Sequence, residues 1–455
     1  MQRHESFTLL VAAFLALGCL VTATPVFAAS PERVLYSFCS AANCSDGQHS
    51  WAALIFDSAG NLYGTTAGGG SLQCSSVNAA GCGTVFKLSP GADGQWTETV
   101  LYSFCSLPNC TDGADPYDAL IFDSAGNLYG TTSAGGSGQC PSPGSVGCGT
   151  IFELTPGANG LWTETVLHTF CSAANCADGA YPYAGLILDS EGNLYGTAAD
   201  VVFNTQNGCY PGGSPACGKV FQLRPGADGH WTYKLLHAFK GKDGAVPELG
   251  NLIFDAAGNL YGTTNFGGHV STTCLLGCGT VFELTPGAKG EWSERVLYSF
   301  VNNGRDGYNP LFGLAFDPAG NLYGTTYGGG RFSMGTVFQL SPGANDQWTE
   351  KVLHSFNSSD GSGPGSGLVL DGAGNLYGNT NQGGANSRGT VFRLSQGGDG
   401  SWKETLYSFQ TGNNGAEPTG NLIFDSAGNL YGTTFGGGIN GADCNGCGTV
   451  YAITP

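Results

Sequence analysis

Short apolar and aromatic runs, each closed off by Gly, Asp, Asn or Pro, recur from Val34 to Pro455, and no stretch between them carries a helical period. That punctuation predicts strands. The run LIFDSAGNLYGTT at Leu54 returns, intact or nearly so, at Leu120, Leu186, Leu252, Leu314, Leu368 and Leu422. A GTVFKL-like run follows each copy, beginning at Gly83, Gly149, Gly218, Gly279, Gly335, Gly389 or Gly448. After all but the last come a PGADG-like turn and then WTETVLYSF or a close variant. Such a chain is one repeat array.

Each unit predicts four strands: a, LIFD; b, NLYGTT; c, GTVFKL; and d, WTETVLYSF. Between a and b, Asp57 is placed to accept backbone N–H bonds as the first residue of a type I turn, and Gly60 to supply the left-handed position. The same turn chemistry is assigned to Asp123, Asp189, Asp255, Asp317, Asp371 and Asp425. A calcium reading is weaker, because DSAGN lacks the alternating oxygen ligands of a calcium loop.

The seventh copy stops at Pro455 after strand c, and a spare VLYSF stands at Val34 to Phe38 ahead of the first strand a. One end supplies what the other lacks. The expected fold is therefore an all-β, seven-bladed β-propeller of four-stranded antiparallel blades, closed by the N-terminal strand completing the last blade, which leaves no exposed sheet edge. An open β-solenoid is the alternative, and it gives no reason for the complementary ends.

Composition fits this picture: 77 of 455 residues are Gly and only 11% are charged, which disfavours helices. With 16 basic against 34 acidic residues the net charge is −18, and no run of Lys or Arg exists to displace phosphate counterions. A nucleic-acid partner is not expected. At the N-terminus a polar MQRHES, an apolar Phe7 to Val21 and a small-residue TATPVFAA read as a signal peptide over residues 1–29, leaving one propeller domain over 30–455. A membrane anchor is the weaker reading, since Thr22, Thr24 and Pro25 break the run short of the about 20 residues a span requires. Lipidation at Cys19 is a further alternative, although Ala16, Leu17 and Gly18 match a lipobox poorly. The expected protein is a monomer, secreted, periplasmic or at the cell surface.

Outside the leader the cysteines fall in close pairs: Cys39/Cys44, Cys74/Cys82, Cys105/Cys110, Cys140/Cys148, Cys171/Cys176, Cys209/Cys217, Cys274/Cys278 and Cys444/Cys447. Where one member of a pair is missing from a repeat its partner is missing too, as covalent pairing predicts. Zinc is the alternative at Cys444-x-x-Cys447, but equivalent pairs have different spacings and no accompanying His pair. No metal and no cofactor is expected.

The combination of LYSF, DG, LIxDxxGNLYGTTxxGG and GTVFxLTP resembles the bacterial GloVer tandem repeats of exported, choice-of-anchor GloVer-containing proteins. The resemblance spans Val34 to Pro455 and implies an exported repeat protein, with no activity or catalytic residues to carry over. Members often end in a surface-sorting segment, whereas this sequence ends within its last repeat, which favours free secretion or periplasmic residence.

Up-and-down strand order puts the a/b and c/d turns on one face, where DSAGN and PGADG return almost unchanged, and the b/c and d/a loops on the other. The second face carries the cysteines and most of the length variation, so binding is expected there. Trp51, Tyr117 and Tyr183 occupy equivalent places at the end of the d/a loop in the first three blades, where later blades have Glu248 or Leu249, then Leu311, Gly365 and Thr419. These aromatics are expected either to form a platform for sugar rings or a partner's apolar side chains, or to pack over the disulfide-pinned loops. His49, Asp115 and Tyr181 are secondary candidates. His168, His237 and His354 replace the Tyr of LYSF and read as strand residues. The loop aspartates Asp46, Asp112, Asp178, Asp243, Asp306 and Asp360 read as turn caps, with a cation-binding rim as the alternative.

Enzyme signatures are poor. Gly436-x-Gly438-x-x-Gly441 matches the dinucleotide fingerprint as text but lacks a βαβ unit, and neither HExxH nor GxSxG occurs. The leading expectation is a non-catalytic propeller binding glycan or a surface protein. A carbohydrate-active enzyme using loop carboxylates and a structural envelope spacer are the alternatives.

Overall fold

The computed structural model describes residues 32–70, 75–76, 79–138, 140, 146–200, 217–411, 413–438 and 446–455. The leader, Cys19, Cys74, Cys209 and Cys444 lie outside the described residues. Seven four-stranded antiparallel blades form a propeller. The first blade runs Ile55–Phe56, Leu62–Thr66, Thr84–Pro90 and Trp96–Ser103, from innermost strand a to outermost strand d. In the last blade Gly415–Phe424, Leu430–Gly437 and Thr449–Ile453 are completed by Arg33–Ser37, with Val34 opposite Tyr451 and Ser37 opposite Thr449. The ring closes by the N-terminal strand. Among the described residues no helix is long and apolar enough to cross a membrane.

Strand a is shorter than LIFD suggests, and in strand d a bulge at Leu101 separates the pairs Val100–Phe86 and Tyr102–Val85. The sixth blade tests the cause of that bulge. Its WKETLYSF is one residue shorter than WTETVLYSF, and there Leu406 pairs with Phe392 and Tyr407 with Val391 in unbroken register.

Blades are joined by one repeated aromatic pair. The Phe that ends each LYSF-like run sits edge-on to the strand-c aromatic of the next blade: Phe38 on Phe86, Phe104 on Phe152, Phe170 on Phe221, Phe239 on Phe282, Phe300 on Phe338 and Phe409 on Tyr451, with centroids 5.0–5.4 Å apart. Phe356 meets Phe392 at 5.0 Å in a more tilted arrangement. Each pair contributes roughly 0.5–1.5 kcal/mol beyond the area it buries. The glycine of LYGTT makes room for it, since a Cβ on Gly64 would lie 2.7 Å from Cζ of Phe86.

The a/b turns follow the expected chemistry. Asp57 Oδ1 accepts from the amides of Ala59 and Asn61, each at 2.9 Å, and Oδ2 accepts from Asn61 Nδ2 at 2.6 Å and Tyr63 OH at 3.1 Å. Gly60 has φ +83°. Every oxygen is spent on the turn, as a structural aspartate requires. Disulfides join Cys39–Cys44, Cys105–Cys110, Cys140–Cys148, Cys171–Cys176 and Cys274–Cys278. Cys82, Cys217 and Cys447 are also disulfide-bonded.

Candidate functional site

Before each strand a, on the face of the d/a loops, one residue is held in the left-handed region. His49, Asp115, Tyr181, Val246, Asn309 and Glu417 have φ between 54° and 57°, and Gly363 takes the same place at 57°. Each amide donates across to the neighbouring blade. His49 N–H bonds to Cys447 O at 2.8 Å, Asp115 N–H to Cys82 O at 2.9 Å and Tyr181 N–H to Cys148 O at 2.9 Å. The acceptors are disulfide cysteines, so the pinned loops support the rim directly. Such left-handed non-glycine residues are uncommon and cluster where surrounding structure over-determines them.

The residues that follow build an arc of rings. His49 stacks on Phe435 at 4.4 Å, Phe435 meets Trp51 at 4.7 Å, Trp51 stacks on Tyr117 at 6.0 Å, Tyr117 meets Tyr183 edge-on at 5.3 Å, and Tyr183 stacks on Tyr181 at 6.4 Å. All are partly exposed except Tyr181, which is buried with its hydroxyl 3.0 Å from Cys140 Sγ. The structure thus joins the five aromatic candidates in one arc, in which the rings pack on one another and Tyr181 reaches the Cys140–Cys148 disulfide.

Phe435, not among the residues expected from sequence, completes the arc. It occupies the place just after the second Thr of LYGTT, where other blades have Ala67, Ser133, Ala199, Asn265, Tyr327 and Asn381. Aligning that column would have exposed it. The Glu248/Leu249 ambiguity is also resolved. Pro116, Pro182 and Pro247 cover the equivalent glycines Gly83, Gly149 and Gly218, so Glu248 takes the place of Tyr117 and Tyr183, and Leu249 is the insertion. Its consequence is local. Thr65, Thr131 and Thr325 donate to Asp118 O, Ala184 O and Ser366 O of the next blade, whereas Thr197 Oγ1, whose neighbour carries the insertion, is buried without a partner among the described residues.

Two carboxylates flank the rings. Burial pushes Asp115 up to about 7, and its Oδ1 is buried with no hydrogen bond among the described residues. Burial likewise raises Glu248, opposed by the 2.9 Å bond from Asn265 Nδ2. Asn309 Nδ2 donates in turn to Asn265 Oδ1 at 2.8 Å, extending a polar chain from Glu248 into the next blade. Burial and then the charges of Asp115 and Glu248 push the Tyr117 hydroxyl up to about 12. Asp118, raised to about 6 by burial against bonds from Ala119 N and Gly185 N, links the segments that precede strand a in the second and third blades.

The loop aspartates do cap turns. Asp46 Oδ2 accepts from Ser40 N at 2.8 Å, Ser40 Oγ at 2.9 Å and Tyr36 OH at 2.8 Å. They also face a strand-d glutamate of the next blade. Burial and then the charge of Asp46 push Glu98 up to about 8, and Glu164 stands in the same relation to Asp112.

The Gloeobacter/Verrucomicrobia repeat matches the chain at residues 18–209, 75–286, 208–345 and 270–455. No curated protein matches it significantly. Among solved structures, a provisionally named oxidoreductase (glucose dehydrogenase) of Thermus thermophilus is 18% identical, with a TM-score of 0.42 over 74% of this chain and 96% of that one. A protein of unknown function from Dyadobacter fermentans is 12% identical, with a TM-score of 0.43 over 84% and 98%. Likeness at this level carries neither substrate nor chemistry across. The repeat units span essentially the whole propeller, and the chain belongs to the Gloeobacter/Verrucomicrobia repeat family.

Proposed function

We propose that this protein is an exported, non-catalytic propeller that binds glycan at its channel mouth. The observation behind this reading is the arc Phe435–Trp51–Tyr117–Tyr183, partly exposed and bordered by Asp115, Glu248 and Asn265. Sugar rings present apolar C–H faces that stack on aromatic rings and hydroxyls that bond to carboxylates and amides, so rings beside acceptors match a glycan better than a wholly apolar partner. Disulfides fit an oxidising compartment outside the cytosol. The test is a glycan array probed with the intact protein and with Trp51→Ala and Tyr183→Ala. Binding lost in both variants supports the reading. Binding unchanged in both, or capture of peptides by the same rings with no glycan bound, overturns it.

A second reading, a carbohydrate-active enzyme, draws on Asp115, which burial pushes up to about 7, the range in which a carboxyl can serve as a general acid. Release of reducing ends from a polysaccharide panel, abolished by Asp115→Asn, is its expected signature.

A further inference from the structure

The outer groove between adjacent blades repeats one constellation in which two members vary, the residue at the Tyr place and, in the His168 site, the strand-d residue, which is Tyr233 instead of Glu. A residue at the Tyr place of LYSF faces the loop aspartate that follows it and a residue on strand d of the next blade. With Tyr at that place the hydroxyl donates to the aspartate: Tyr36 to Asp46 and Tyr102 to Asp112, each at 2.8 Å, and Tyr298 to Asp306 at 2.9 Å. A donor there satisfies that carboxylate oxygen and, being a phenol, offers a cation no imidazole nitrogen.

With His at that place the chemistry reverses, because a neutral imidazole can offer a lone pair. His237 Nε2 lies 3.0 Å from Asp243 Oδ2, and with Glu294 these ligand atoms fall within 4.8 Å of one another. His354 Nε2 lies 3.4 Å from Asp360 Oδ2 and 3.6 Å from Glu404 Oε1, again within 4.8 Å as a set. Glu294 Oε1 and Glu404 Oε1 are each buried without a hydrogen bond among the described residues, as are Glu98, Glu164 and Glu350 Oε1 at the Tyr sites, so what sets the two His sites apart is the imidazole lone pair. The aspartates are held from behind, Asp243 Oδ1 by Lys240 N and Asp360 Oδ1 by Asn357 N, each at 2.7 Å, and Asp360 Oδ2 also accepts from Asn357 Nδ2 at 2.5 Å while its second lone pair faces His354. His237 and His354 remain 16% and 21% exposed, so an ion can reach them. His168 supplies the internal control. It faces Asp178, but Tyr233 stacks on it at 4.7 Å, and among the described residues no third ligand joins the pair.

We propose that His237–Asp243–Glu294 and His354–Asp360–Glu404 are two sites for a divalent first-row transition cation of the zinc class, each bridging two blades from the outside. One imidazole nitrogen and two carboxylate oxygens form a three-ligand set that such cations accept, with water completing the shell. Both groups sit away from the channel-mouth rings, so the proposal is independent of the glycan reading.

The experiment loads the intact protein with Zn2+, desalts it and measures bound metal by mass spectrometry, alongside calorimetric titration and thermal denaturation. About two equivalents are expected, falling to about one in His237→Tyr or His354→Tyr and to none in the double variant, with His168→Tyr unchanged. Tyr is the residue other repeats carry at this place, so these variants should fold; Glu294→Gln and Glu404→Gln provide a second route to the same loss. Zn2+ should raise the melting temperature of the wild type and leave the double variant unmoved. No bound Zn2+, or stoichiometry unaffected by the double variant, overturns the proposal.

Discussion

Phe38 meets Phe86 edge-on with ring centroids 5.1 Å apart, although one follows the strand that closes the ring and the other lies in strand c of the first blade. Both are fully buried. The closing seam therefore carries the same aromatic joint as an interior seam such as Phe300 on Phe338, also at 5.1 Å. Phe38→Ala is expected to cost about 3–5 kcal/mol, as is Phe300→Ala. Denaturant unfolding of the two variants measures this, and a much smaller loss for Phe38→Ala would mean the closure is weaker than the other joints.

Gly113 and Gly126 both have positive φ, +99° and +88°, but different surroundings. A Cβ on Gly113 would lie 2.6 Å from Thr132 Oγ1, within the Thr132–Thr150 hydroxyl pair, whereas one on Gly126 would meet nothing within 4 Å. Gly126→Ala should cost only the left-handed conformational penalty of about 1–2 kcal/mol. Gly113→Ala should cost more by the steric conflict, read as a clearly larger fall in melting temperature.

Two sets of carboxylates give stability opposite pH slopes. In the turn aspartates burial opposes ionisation, yet the bonds from Asn61, Tyr63 and backbone hold Asp57 below its usual value, and Asp123 behaves likewise. Their contribution is present above about pH 4 and lost as pH falls through the lowered value. Glu98 and Glu164, raised to about 8 by burial and by Asp46 and Asp112, act the other way. Their contribution is full below about pH 4.5 and is lost as pH rises towards 8. Melting temperature should therefore decline from pH 5 to pH 8, and a Glu98→Gln, Glu164→Gln variant should flatten that decline; an unchanged slope would count against the Asp–Glu pairing.

At the channel mouth, Trp51→Ala and Tyr117→Ala should each weaken glycan binding by roughly 1 kcal/mol or more, about fivefold to tenfold. Leu161→Ala, 74% exposed at a c/d turn of the plain face, should leave it unchanged. Titration calorimetry with the best array ligand distinguishes the two outcomes.

The blades, their number, the ring closure, the aspartate turns and the five cysteine pairs described whole were all legible along the chain. Each is set by residues close in the chain or by a repeat that states its own register. Asp57 and Asn61 fix a hairpin within one short turn, and Cys105 reaches Cys110 through a short loop. What adjacent blades present to each other emerges from the folded ring. Phe435 lies beside His49 and Trp51 because the ring closes, not because anything in its own repeat calls for it. Which of Glu248 and Leu249 faces the mouth depended on Pro247 seating over Gly218. The triads of His237 and His354 each borrow a glutamate from the following blade, a whole repeat away in sequence. Ring contacts and ligand sets of this kind are sums over separate strands, and the physical reason they stay hidden in a linear reading is that blade-to-blade packing, not local propensity, brings their atoms within reach.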